Sequence, residues 1–564
     1  MAFRDFEMWT ELSQRSRART LARAQEETFD LLVIGGGITG AGIARDAALR
    51  GLSVMVAERR DLASGTSSRS SKLIHGGVRY LQQGDVGLVM EAANERRILR
   101  RLAPYLTKPI PMLVPVYSRG GYAKLKVGLW TFDRMARVGD GEQYAMLDRD
   151  QSLKAEPLLR AETLYGAGTY YENLTDDARL VLAAAKQAAA LGAAIVNYAP
   201  VTRLIVEQGR VAGAEVTDAF TQETVPVRAK VVVNAAGPWV DTVREMLGTE
   251  PARLHLTKGI HLVLRRERLP VSRIVVMQAR DRRSAFVVPR DGVVYLGTTD
   301  TNYEGAYDDP TITEDDAGYL LDAAARTFDV PPISMDEVTG AWAGLRPLLH
   351  EEGKAPSEIS RKDEIMVSPT GLLSIAGGKL TTFRRMAERV TDMVVARLEE
   401  SGARAFKAVG ASDTTPLSGG ETADPAALAA RLSAKWPSAA EFVDRLVGLY
   451  GTHAEAMVEG MNGDPALAER MAPGSLLTRA EVEYVVRCET AATVEDVLER
   501  RTRMFLFDPG NGLAEAPRVA QILGRALDWS DARIQQEVAQ YSAHVHHVKS
   551  FTGLNPPRDQ AAHG

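Results

Sequence analysis

The stretch "FDLLVIGGGITGAGIARDAALRGLSVMVAE", residues 29–58, restricts the possible folds more than any other part of the chain. Its apolar run from Leu31 to Ile34 is continuous rather than alternating, as a strand buried on both faces should be. Gly35, Gly37 and Gly40 then form G-x-G-x-x-G between that strand and a helical run, and Glu58 ends the next strand 23 positions after Gly35. Gly35 permits a tight turn, Gly37 lets the backbone approach a pyrophosphate, and Gly40 lets helix and strand pack closely. The helix start at Ile38 and Thr39 offers amide hydrogens and a positive dipole end. Glu58, followed by Arg59, is placed to accept from an adenosine ribose hydroxyl. Strand, turn, helix and terminal acid together predict an α/β, Rossmann-type dinucleotide fold.

At 564 residues the chain exceeds what one hydrophobic core supports, so two or three domains are expected. From Asp176 the strand–helix pattern resumes: "DDARLVLAAAKQAAALG" reads as a helix and "VPVRAKVVVNAAGPW" as another buried strand, with Ala236 and Gly237 in the turn after it. Between about 255 and 340 the character changes. "GIHLVL", "RIVVMQ" and "SAFVVPRDGVVYLGTTD" read as a separate antiparallel sheet, the last hinged on "RDG". "LLSIAGG" followed by "KLTTFRRMAERVTDMVVARLEE" returns to a strand feeding a helix, which makes the nucleotide domain discontinuous. Beyond about 410 the chain reads as mostly helical.

Several classes of function are excluded by composition. A net charge of -5 gives no reason to expect nucleic acid as a partner. A single cysteine, Cys488, rules out an internal disulfide, a redox dithiol and a thiolate metal site, and fits a reducing, cytoplasmic setting. The longest apolar run, from Leu180, is broken by Lys186 and Gln187 before it could span a bilayer. The N-terminal 28 residues read as a solvated helical arm, with membrane contact through Phe6, Trp9 and Leu12 the alternative. "HVHH", at His544, His546 and His547, reads as a surface helix with no acid nearby to complete a metal set, and "RRTR", residues 500–503, as a solvated, ion-paired helix.

Two features favour FAD over NAD. The chain has no second G-x-G-x-x-G for another nucleotide, and one finger beside a large antiparallel layer suits a flavin that takes electrons directly from a small substrate. The helix opened by Gly378, Lys379, Leu380 and Thr381 would point its amides at the pyrimidine end of a flavin and stabilise the charge of the reduced ring. The stretch "GTSSRSSKLIHGGVRYL" after the second strand lies where this topology binds ligands, which makes Thr66, Ser67, Ser68, Ser71, Lys72, Leu73 and His75 candidate cofactor contacts.

With "IGGGITGAGIARDAALRGL", "TSSRSSKLIHGGVRYL", "NAAGPWVD", "TKGIHLVL", "LGTTD", "GLRPLL", "ISRKDEI" and "GGKLTTFRRMAE" in order, the chain resembles the FAD-dependent, quinone-linked glycerol-3-phosphate dehydrogenases. The resemblance implies a glutathione-reductase-type FAD domain (29–125, 176–254 and 341–400), an antiparallel substrate domain (126–175 and 255–340) and a helical C-terminal domain (410–564), after an arm of residues 1–28. It also implies oxidation of glycerol 3-phosphate to dihydroxyacetone phosphate. Electrons would pass to quinone at the inner face of the cytoplasmic membrane, where the enzyme would be peripheral; a homodimer is left open.

Several charge-assisted hydrogen bonds are needed to hold a phosphate monoester, and arginine's planar fork suits its oxygens. By resemblance, Arg79, Tyr80, Arg361 and Lys379 hold the substrate, with Lys258 and Thr381 as further candidates. Arg346, in the apolar context "GLRPLL", would be costly to bury without a partner and by resemblance polarises the oxygen on the reacting carbon. A base must take the C2 hydroxyl proton while hydride moves to the flavin, and histidine titrates near neutrality. His75 is the first choice and His261 the second. The competing readings are an oxidase that returns electrons to O2, a noncatalytic flavin-bound sensor, and a flavin amine or amino-acid oxidase, since the architecture is shared among chemistries.

Overall fold

The structure, a computed structural model, describes residues 12–76, 86–136, 138–139, 141–248, 252–281, 283–349, 363–402 and 405–553. Its first sheet has parallel strands in the order Leu373–Ala376, Thr224–Asn234, Thr28–Ile34, Val54–Ala57 and Ala194–Val196. Strand Glu364–Val367 is added antiparallel at one edge, and the hairpin Val201–Glu207/Arg210–Thr217 on the end of the long strand Thr224–Asn234. Leu31, Leu32 and Val33 are fully buried, as the unbroken apolar run requires. Helices Ile38–Leu49, Asp177–Ala190 and Phe383–Glu400 pack together over one face.

The second sheet has ten strands, antiparallel except where Ile274–Gln278 runs beside Lys108–Val116. At the turn "RDG", Asp291 and Gly292 both take positive φ, the tight hairpin that joins Ser284–Arg290 to Val293–Gly297. Strands Leu73–Ile74, Lys108–Val116 and Val338–Leu349 belong to this sheet. The divisions expected at 125 and 341 therefore move. Which sheet a strand joins depends on partners distant in sequence: Val338–Leu349 pairs along nearly the whole of Leu254–Arg265, and Lys108–Val116 along Gly166–Leu174.

The described part of the N-terminal arm, from Leu12 onward, is not a solvated helix. Leu12, Leu21 and Ala24 are buried, helix Arg17–Glu26 packs on the first sheet, and Arg17 is paired with Asp218 at 3.0 Å. Burial of Leu12 removes it from any membrane contact; Phe6 and Trp9 lie outside the described residues.

The C-terminal helices, from Pro425–Lys435 to Asp531–Val548, share one apolar core with Tyr295 and Trp342 of the second sheet. Here two expectations fail. Arg500 and Arg501 are buried rather than solvated, because both reach Asp61 across the domain seam: Arg500 Nε lies 2.6 Å and Arg501 Nη2 2.8 Å from its carboxylate. Acids do meet the histidines: His544 Nε2 lies 3.4 Å from Glu499, and His547 Nε2 lies 2.8 Å from Asp309. A reading along one helix could not find these acids, since they come from other segments.

Candidate active site

A cavity of about 590 Å³ runs from the carboxyl ends of the parallel strands to the inner face of the second sheet. This is the volume range of a cofactor and substrate site. At the end formed by the glycine turn, Gly35 makes the tight turn and Gly40 the close helix–strand packing that their spacing implied. Gly35 has φ 111°, and a Cβ there would stand 2.7 Å from the Ala235 carbonyl oxygen; a Cβ at Gly40 would collide with the Gly35 carbonyl. Gly37 caps helix Ile38–Leu49, and the Ser67 hydroxyl accepts the Ile38 N–H at 2.9 Å. Thr39 lines the same end.

Glu58 takes the Gly36 N–H at 2.6 Å and the Arg60 N–H at 2.8 Å. Burial pushes its carboxyl pKa up, and the two amides pull it back only partly. Arg59 lies over the Trp239 ring at 4.3 Å, and Ala236 and Gly237 line the same cavity. The Glu58 carboxylate and the Ser67 hydroxyl already take the Gly36 and Ile38 amides, so a pyrophosphate at this helix start would share those donors or displace the two side chains.

At the other end, Gly378, Lys379, Leu380 and Thr381 line the wall at the start of helix Phe383–Glu400. Thr381 clamps the backbone of His75: its hydroxyl accepts the His75 N–H and donates to the His75 carbonyl, both at 3.2 Å. Leu73, Thr66 and Ser71 line the cavity, and the Thr66 hydroxyl donates to the Leu345 carbonyl at 2.6 Å. The other candidate histidine, His261, is buried, stacked on Trp342 at 4.6 Å, with Nε2 at 2.8 Å from the Ser71 hydroxyl. Burial, then the neighbouring Arg346 and Lys72, hold its pKa well below the usual imidazole value, so the ring is neutral. Its buried Nδ1 has no hydrogen-bond partner among the described residues. A cofactor or substrate atom would satisfy it.

Arg346 reaches the cavity with partners already in place: Asp300 at 3.0 Å, the Thr298 hydroxyl at 2.9 Å and the Thr299 carbonyl at 3.1 Å. Three expected contacts are used elsewhere. Lys258 is bound to Asp316 at 2.6 Å and to the Thr311 carbonyl, so its ammonium holds the sheet to helix Glu314–Thr327. Lys72 is buried against Asp177 at 2.7 Å and donates to the carbonyl of Ser68, itself buried outside the cavity wall. These two lysines and Ser68 build the site without facing it. Arg79, Tyr80 and Arg361 fall outside the described residues.

Glu172, Asp177, Arg283 and Asp300 also line the cavity and were not singled out in the sequence. Glu172 takes the Gly76 N–H at 3.1 Å and pairs with Arg96 at 3.0 Å. The one usable signal was the cost of burying Arg346, which called for an acid partner, and the aspartate of "LGTTD" supplies it.

A family profile described as FAD dependent oxidoreductase matches residues 30–384, and one described as the C-terminal domain of alpha-glycerophosphate oxidase matches 411–534. Over 533 residues, 92% of this chain and 95% of the relative, the chain is 40% identical to an aerobic glycerol-3-phosphate dehydrogenase of Bacillus subtilis. A Staphylococcus aureus protein of the same name is 38% identical over 550 residues, 95% of this chain and 98% of its own length. A crystal structure of glycerol-3-phosphate dehydrogenase from Bacillus halodurans, complexed with FAD, superposes with a TM-score of 0.80 at 35% identity, covering 96% of this chain and 99% of that one. L-alpha-glycerophosphate oxidase from Mycoplasma pneumoniae, at 19% identity and a TM-score of 0.53 over 65% of this chain and 95% of its own, shares the fold. With a dinucleotide cradle, a charged cavity wall and relatives matched along nearly their whole length, the chain belongs to the FAD-dependent oxidoreductases, in the aerobic glycerol-3-phosphate dehydrogenase family.

Proposed function

We propose that the chain oxidises sn-glycerol 3-phosphate at C2 to dihydroxyacetone phosphate and passes the electrons to a membrane quinone. The observation that carries this reading is one cavity lined by Arg346, Lys379, His75 and His261 together with the glycine turn of the first sheet. FAD, when bound, supplies the two-electron acceptor for the C2 hydride. The protein's own residues do the rest. Lys379, with Arg79 and Arg361 of the matching motifs, holds the phosphate; Arg346 donates to the C2 oxygen; Gly35, Gly37 and Glu58 hold the nucleotide end in register.

His75 is the better base. It stands half-buried on the wall with its backbone clamped by Thr381, whereas His261 is kept so far below neutrality that it would be a weak proton acceptor. His261 instead offers a fixed neutral ring with an open nitrogen for hydrogen bonding.

Quinone as acceptor is supported by the family's relatives, named aerobic dehydrogenases, and by one surface. Helix Arg119–Ala136 exposes Val127 and Trp130 between the exposed cations Arg119, Lys124, Lys126 and Arg134, while Leu125 on the same helix lines the cavity. An apolar stripe with aromatic and basic flanks suits an anionic bilayer surface. No helix among the described residues is long and apolar enough to cross a membrane.

The test is anaerobic addition of glycerol 3-phosphate to the holoenzyme, followed by rapid mixing with a soluble quinone or with O2. Bleaching of the flavin and fast reoxidation by quinone are expected. A flavin that stays yellow rejects the substrate assignment, and reoxidation faster by O2 than by quinone, with hydrogen peroxide formed, converts the reading to an oxidase.

A further inference from the structure

Strand Leu254–Arg265 is flanked on one side by Val338–Leu349, which carries Arg346, and on the other by Val293–Gly297 and the turn that carries Asp300. To meet Asp300, the Arg346 guanidinium must cross the middle strand. It does so over Gly259, where a Cβ would collide with Arg346 Nη2 and the Thr298 hydroxyl. The resulting pair, Nη1 to Oδ1 at 3.0 Å, leaves the arginine side chain 19% and the aspartate 12% exposed. Asp300 is itself held, because Arg283 donates to its carbonyl at 2.5 Å while pairing with Asp281. All of Gly259, Thr298, Asp300, Arg283 and Arg346 line the cavity.

We propose that Asp300 is a positioning residue: its carboxylate fixes the Arg346 guanidinium across the sheet and cancels enough of its charge that the substrate phosphate goes to other cations. This rests on the reading of Arg346 as the group that meets the reacting oxygen. A half-buried guanidinium without its acid would attract a dianion more strongly than any neutral donor. The phosphate would then be drawn to the place the reacting carbon must occupy. With Asp300 in place, Arg346 keeps directed N–H donors but loses that pull, so the substrate binds with one end preferred.

The test uses holoenzyme and anaerobic stopped-flow reduction of the flavin by glycerol 3-phosphate, with inorganic phosphate as the competing probe. D300N is expected to lower the limiting reduction rate by about 100-fold, the cost of misplacing one catalytic donor, while inorganic phosphate binds severalfold tighter than in wild type. D300E, which keeps the charge but moves it by one methylene, is expected to bind phosphate as wild type does and to reduce at an intermediate rate. In an R346Q background D300N should cause no further loss, since the two act as one unit. A wild-type rate in D300N, weaker phosphate binding in D300N, or a further loss on adding D300N to R346Q as large as D300N causes in the wild type would each overturn the proposal. Failure of the functional reading is separate: it is seen in the wild type, whose flavin would not be reduced at all.

Discussion

The cavity wall and the seam between the nucleotide layer and the C-terminal helices are both built on arginine, and the two use it in opposite ways. At the seam Arg501 is fully buried between Asp61 and the Glu489 carbonyl, Arg500 bridges Asp61 and Asp496, and Arg179 pairs with Glu489. Burial pushes the Asp61 carboxyl upward, but Arg501 and Arg500 outweigh it and hold it below its ordinary value. Asp496, buried beside Asp61, is pushed up to about 6. At the cavity Arg346 pairs with Asp300 among the described residues, and its side chain stays 19% exposed. A guanidinium fully buried among acids holds domains together; one that lines a cavity and stays partly exposed is placed to meet a ligand.

The largest effect should come from breaking the seam. Asp61→Ala leaves two buried cations short of a partner and is expected to cost about 3–5 kcal/mol, measured as a lower midpoint of urea unfolding followed by tryptophan fluorescence. An unchanged midpoint would mean the seam is not structural. Next, His75→Ala should leave the flavin bound and slow its anaerobic reduction by roughly 100-fold; stopped-flow absorbance at the flavin band reads it. Lys379→Gln should raise KM for glycerol 3-phosphate by about 10-fold or more, the value of one charge-assisted hydrogen bond, with a smaller change in kcat.

A pH effect comes next in size. His261 and His453 are both held well below the usual imidazole value, first by burial and then by neighbouring cations. The unfolded chain takes up their protons near pH 6.5 while the folded chain does not, so stability falls as pH drops below that value. Each histidine contributes about 1.4 kcal/mol per pH unit in that window. His544 runs the other way: despite the cost of burial, Glu499 raises its pKa, so its contribution is complete below 6.5 and lost as pH rises through the raised value. Melting temperatures between pH 5 and 7 should therefore depend less on pH in His453→Gln than in wild type, and a parallel profile would reject this. The smallest effect is expected at Lys258→Met: bound to Asp316 rather than facing the cavity, it should change KM by less than about twofold, whatever it does to the melting temperature.

The nucleotide end was legible in the sequence because its signals are local. Gly35, Gly37, Gly40 and Glu58 lie within one strand–turn–helix–strand unit, and the cavity wall includes three of them, Gly40 serving the packing behind it. The serine stretch was legible by position but not residue by residue. Ser71 and Ser68 belong to the same short run, yet Ser71 faces His261 and Ser68 turns inward to receive Lys72. Charged residues were least legible. Lys258 and Arg346 lie on paired strands and each is tied to an acid, Asp316 and Asp300, 58 and 46 positions away, but the second pair lines the cavity and the first does not. The same holds for "RRTR", whose acid at Asp61 is 439 positions from Arg500. Spacing along one element cannot register a partner that only the fold delivers.

Asp61 stands three positions after Glu58, the acid placed for the adenosine ribose. The loop proposed to hold the nucleotide is therefore the same loop that Arg500 and Arg501 of the C-terminal helices latch onto. The two parts cannot be exchanged like interchangeable modules, and a truncation near residue 410 would strip the latch from the cofactor's own cradle. Flavin content then becomes a gauge of whether the far end of the chain is intact.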